Sequence, residues 1–173
     1  MNHNRQGTGQ KALRWLAVAS VAAMAAACAS VDGSRSTTEA LAGAPSPIPD
    51  YDWHYHVEGG EASLVFGMAE SDDVMMGLSC QAGSGKLDLF AIVDAADEIH
   101  LESGGDTERF SAVSEPSELH GRILNARADT DVPVFKRFRR LGWMASLHDG
   151  RRDLYVAHPE SATNVERFFA DCG

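Results

Sequence analysis

Along residues 51–57 apolar and polar side chains alternate, Tyr51, Trp53, Tyr55 and Val57 against Asp52, His54 and His56, the period of two that marks a half-buried strand. Glu58-Gly59-Gly60-Glu61 reads as a turn and residues 62–68 as the returning strand. The pattern repeats: residues 74–81 and 86–93 flank Ala82-Gly83-Ser84-Gly85, and residues 98–103 and 107–113 flank Gly104-Gly105-Asp106. Residues 118–127 extend the series, with Gly121 expected to bulge or interrupt the strand. The period then changes. Val134, Phe135, Phe138 and Leu141 fall three to four apart, predicting a short helix with Asp131 as N-cap, Pro133 in the first turn and Gly142 past the end. Residues 143–148 and 151–157 flank Asp149-Gly150, the signature of a two-residue hairpin. Residues 162–170 predict a second helix that buries Val165, Phe168 and Phe169. Short strands punctuated by glycine turns predict a mostly β (α+β) domain: an antiparallel sheet, sandwich or small barrel with two short helices in its C-terminal half. Trp53, Tyr55, Phe66, Phe90, Phe110 and Trp143 are expected in its core.

The first fifty residues obey a different pattern. Residues 1–14 carry Arg5, Lys11 and Arg14 with no acid, and residues 15–27 are an apolar run ending in Ala25, Ala26 and Ala27. That is a positive n-region, an h-region and a small-residue cleavage site. Such a run spans about 20 Å as a helix, short of the roughly 30 Å hydrocarbon core, so it reads as a signal peptide rather than a permanent span. The stretch Met24-Ala25-Ala26-Ala27-Cys28 resembles the lipobox of bacterial lipoproteins, in which the cysteine is lipidated and becomes the new N-terminus. The resemblance covers residues 1–28 alone. It implies acylation of Cys28, and Ala29 in place of an aspartate implies delivery to the outer membrane, facing the periplasm. Ala25 stands where the family usually has leucine, which leaves ordinary cleavage and a soluble periplasmic product as the alternative. Residues 28–50, rich in Ala, Ser, Thr and Pro without a sustained apolar period, read as a tether, so the organisation is 1–27 signal peptide, 28–50 lipidated N-terminus and tether, and 51–173 one globular domain.

Composition narrows the partners. Removing residues 1–27 takes three cations and no acid, so the formal charge of −10 becomes −13 for residues 28–173, which disfavours nucleic acid and anionic lipid as ligands of the domain. With Cys28 lipidated, Cys80 and Cys172 are the remaining cysteines, and an exported chain with two cysteines left predicts one structural disulfide.

Chemistry-bearing candidates are few. His54 and His56 share one strand face at a spacing that can chelate a metal if a third ligand approaches, but the motif is common, no zinc motif accompanies it, and solvent-facing histidines on an edge strand are the plainer reading. Gly83-Ser84-Gly85-Lys86 resembles the end of a phosphate loop, but Cys80 and Leu87 stand where that loop needs glycine and Ser or Thr, so a hairpin turn is expected. Gly77-Leu78-Ser79-Cys80-Gln81 begins like a nucleophile elbow yet lacks the final glycine and a following helix. Lys136, Arg137, Arg139 and Arg140 form a basic helix face in an acidic domain, read either as cations paired with neighbouring acids or as an anion or partner contact. The expectation that follows is a non-enzymatic envelope lipoprotein, held to the membrane by its lipid, without a cofactor, contacting an envelope protein or a cell-wall or lipid component. One alternative is a small ligand-binding or protease-inhibitor-like β-barrel module. Another is an envelope hydrolase whose Ser, His and Asp residues meet only in the fold, which a cavity beside them would favour.

Overall fold

Pairs of residues at positive φ set the hairpins. Gly59-Gly60 (59° and 88°), Gly104-Gly105 (54° and 88°) and Asp149-Gly150 (49° and 72°) all adopt it, the backbone twist that joins two antiparallel strands in two residues. The computed structural model describes residues 45–173 except 95 and 118–120; the signal segment, Cys28, most of the tether and the expected start of a strand at 118–120 lie outside the described residues.

Ten strands and two helices follow among the described residues: β1 (Tyr51–Glu58), β2 (Glu61–Met68), β3 (Val74–Gln81), β4 (Lys86–Val93), β5 (Glu98–Ser103), β6 (Asp106–Ser111), β7 (Val113–Pro116), β8 (Arg122–Asp129), α1 (Pro133–Leu141), β9 (Trp143–His148), β10 (Arg151–Val156) and α2 (Ala162–Cys172). They form a six-stranded sheet, β1-β2-β3-β4-β8-β7, and a four-stranded sheet, β10-β9-β5-β6. Every pairing is antiparallel. The architecture is therefore two open sheets rather than a closed barrel.

Three local expectations are corrected. The strand expected over 107–113 is two strands in different sheets: β6 pairs with β5, and β7 pairs with β8. The chain changes sheets at Ala112, whose N–H donates to Asp97 O at 3.3 Å. Gly121 is not a bulge within a strand but stands directly before β8, where its φ of 71° and a Val93 carbonyl 2.5 Å from any added Cβ require glycine. At α1 the N-cap is Val132, not Asp131, and no side chain caps the helix. Pro133 at N1 needs no N–H partner, and the Phe135 and Lys136 amides both reach Val132 O at 3.2 Å, so Asp131 stands one residue too early and instead lies 3.8 Å from Lys136 Nζ.

Inward-facing residues of both sheets meet the helices in one core. Trp53, Leu64, Phe66, Met76, Leu78, Leu87, Leu89 and Leu124 supply the six-stranded side, and Ile99, Leu101, Phe110, Met144 and Tyr155 the four-stranded side. Helix α1 bridges them: Phe138 lies 5.0 Å from Trp53 and Phe135 stacks on Phe110 at 5.7 Å. Fully burying such side chains contributes roughly 1.5–3 kcal/mol each. Helix α2 packs on β1 and β2 and carries the C-terminus to β3, where Cys80 and Cys172 form the expected disulfide across 92 residues. The glycine-rich β3–β4 turn supports the same junction, its Gly83 and Gly85 amides donating to Asp171 O and Cys172 O at 2.8 Å. These are terminal helix carbonyls that have no partner within the helix, so the segment that resembled a phosphate loop serves as a helix C-terminal clasp.

Candidate functional site

The sequence-selected residues divide according to how the fold partners them. His54 and His56 lie exposed on the outer face of β1; His54 Nε2 donates to Gly67 O at 3.2 Å, and His56 lies 3.6 Å from Glu58. Among the described residues no group of three His, Cys, Asp or Glu side chains is placed to hold a metal, so the third ligand this pair would need is not assembled there. Of the basic face, Arg137 binds Asp106 at 2.7 Å, Arg139 binds Glu166 at 2.8 Å and Lys136 faces Asp131. Arg140 is exposed and without an ion pair among the described residues. Three of the four cations on the face that the sequence offers to an anion thus have an acid beside them.

The fold also brings together a Ser, a His and an Asp that no motif announced. Ser146 stands directly opposite Asp153 in the β9–β10 register, and His148 follows two residues later on the same strand face. Ser146 Oγ lies 3.4 Å from His148 Nδ1, and His148 Nε2 lies 3.2 Å from Asp153 Oδ2. On its other side Ser146 Oγ shares a 2.7 Å hydrogen bond with the hydroxyl of Tyr155, whose pKa burial pushes up to about 12. Arg151 Nη2 donates to His148 Nε2 at 3.0 Å, so His148 carries its proton on Nδ1 and the donors run His148 to Ser146 to Tyr155. Among the described residues no buried side-chain nitrogen or oxygen lacks a partner.

Access decides what this network can do. A serine nucleophile must come within about 3 Å of a reacting carbonyl, and Ser146 is only 3% exposed. The neighbouring surface hollow, about 480 Å³, is lined by His148 with Asp97, Glu98, His100, Arg109 and Arg151, and Ser146 does not reach it. Arg109 there pairs with Glu98 and Arg151 with Asp94. Burial, and then the Arg109 guanidinium, hold His100 below the usual imidazole range. The Ser146 network is built to bury the Tyr155 hydroxyl at the edge of the core.

No known family, curated protein or solved structure matches this chain.

The outward face of the six-stranded sheet carries the feature that the sequence reading missed. Val65, Phe90, Ile92 and Ile123 are half-buried but lie outside the core cluster, each beside strand neighbours that point inward, and Val113 is 67% exposed. The register aligns Val65, Gly77, Phe90, Asn125 and Val113 in one row across five strands, with Ile92 opposite Ile123 beside it. Gly77 makes the row flat, because a Cβ there would stand 2.3 Å from Phe90 Cε1, so the ring lies over the glycine. Phe90, expected in the core, faces outward. The signal was present: β4 is apolar at Phe90 and Ile92 on one face as well as at Leu87, Leu89, Ala91 and Val93 on the other.

Proposed function

We propose that this protein is a non-catalytic, lipid-anchored envelope module that contacts another envelope component through the outward face of its six-stranded sheet. The apolar row of Val65, Phe90 and Val113, with Ile92 and Ile123 beside it, carries the reading. Apolar side chains gathered on the outward face of an antiparallel sheet whose other face already forms the core, with Asn125 set between Phe90 and Val113, are the kind of patch that marks an interaction site. The tether and the lipobox-like segment support an anchored location, and the Cys80–Cys172 bond suits an oxidising compartment. The hydrolase alternative lacks support because Ser146 is enclosed, and the barrel alternative because the sheets are open.

The test is the native size of the protein extracted in mild detergent from its own envelope, compared with a Phe90→Ser, Val113→Ser variant. The wild type is expected in a larger assembly that the variant leaves, with the variant's thermal midpoint no more than slightly lowered. Identical native sizes for the two proteins would overturn the reading.

A further inference from the structure

We infer that the occupant of this sheet face is a cationic amphipathic segment of a partner protein, a proposal that rests on the contact reading above. Dimensions set its form. From Val65 to Val113 the row crosses four strand-to-strand gaps, about 19 Å at roughly 4.8 Å each. A helix of about fourteen residues, 1.5 Å per residue, covers that length and presents one apolar stripe.

Charge sets its sign. Exposed Glu115 stands opposite Ile123, and exposed Glu70, Asp72, Asp73 and Asp94 rim the same end of the sheet. Asp73 accepts a hydrogen bond from Tyr51 and Asp94 pairs with Arg151, while Glu70, Asp72 and Glu115 have no ion pair among the described residues. Arg122, the cation at this end of β8, is turned to Ser114. At the opposite strand ends Arg127 pairs with Asp88 and Lys86 with Asp129, while exposed Glu58 and Glu61 have no Lys or Arg partner among the described residues. The face thus carries its apolar side chains between two rims that both hold acids without a Lys or Arg partner among the described residues, Glu70, Asp72 and Glu115 at one and Glu58 and Glu61 at the other. A second copy would bring acidic rims together, and anionic headgroups would meet a segment of charge −13 over residues 28–173; both are disfavoured, whereas Lys or Arg flanking an apolar stripe is drawn in.

The mature chain is titrated with two synthetic fourteen-residue helical peptides that share one leucine stripe, one flanked by lysine and one by glutamate, and with phosphatidylglycerol vesicles. The lysine peptide is expected to bind about tenfold or more tighter than the glutamate peptide, with methyl NMR shifts centred on Val65, Ile92, Ile123 and Val113. Asp72→Lys with Glu115→Lys, both exposed positions, should erase that preference while the protein stays folded. If the preference survives the reversal, or if the vesicles or self-association compete better, the cationic occupant is overturned and the contact face still stands. If Val113→Ser with Ile123→Ser leaves peptide binding unchanged in a protein of unchanged thermal midpoint, the face itself is not the contact and both readings fall.

Discussion

At the scale of single residues, the Tyr155 hydroxyl has a measurable consequence for stability at alkaline pH. Burial is the main cause holding its pKa at about 12 against 10.0 for the free side chain, opposed by the Ser146 hydrogen bond and aided by Asp153. Between those values the folded state keeps a proton that the unfolded chain releases, so stability is unaffected by this group below pH 10 and falls as pH rises toward about 12. The slope approaches about 1.4 kcal/mol per pH unit. Tyr155→Phe should cost about 1 kcal/mol at neutral pH and flatten the alkaline decline. Urea midpoints of both proteins across that window check it, since Tyr51 and Tyr55 are common to the pair. Parallel declines would mean that Tyr155 ionises without resisting the fold. Gly77 illustrates the other kind of residue effect: its significance lies wholly in the Phe90 ring above it, a neighbour from another strand. The sequence offered Gly77 as the start of a nucleophile elbow, because glycine before a serine two residues on is ambiguous until its cross-strand partner is known.

Among the elements, hairpins were the most legible. Strand bounds at β3, β4, β5 and β9 coincide with the expected ones because glycine turns and alternating side chains are local signals. The division between β6 and β7 was not legible, since the single residue Ala112 carries the chain from one sheet to the other and leaves the alternation nearly unbroken. Helix α2 is tied down from several directions: the disulfide at its end, the Gly83 and Gly85 amides, and Asn164 Nδ2 donating to Trp53 O at 3.0 Å. Replacing Cys80 and Cys172 together by alanine should lower stability by about 2–5 kcal/mol, read from the shift in urea midpoint. Faster amide exchange confined to residues 162–173 is the accompanying expectation. An unchanged midpoint would show that the packing of Val165, Phe168 and Phe169 holds the helix without the bond.

At the scale of the whole molecule, the anchor and the folded domain are separable predictions. Intact mass of the protein from its own envelope should show a chain beginning at an acylated Cys28 and lighter by two hydrogens for the disulfide. Cys28→Ser should move it from the membrane fraction to the soluble periplasm. A wild-type chain without acyl mass would refute the anchor and leave the domain's architecture untouched. Among the described residues no helix is long and apolar enough to cross a membrane. By itself the sequence determined the strand and helix pattern, the hairpin turns and, through two remaining cysteines, the bridge, because period, turn chemistry and cysteine count are properties of neighbouring residues or of the whole composition. Only the tertiary structure decided which sheet each strand joined, that Lys136, Arg137 and Arg139 face acids, that Ser146, His148 and Asp153 meet around a buried tyrosine, and that Phe90 lies outside. Alternation along a strand separates its two faces, but which face is covered depends on strands and helices distant in the chain.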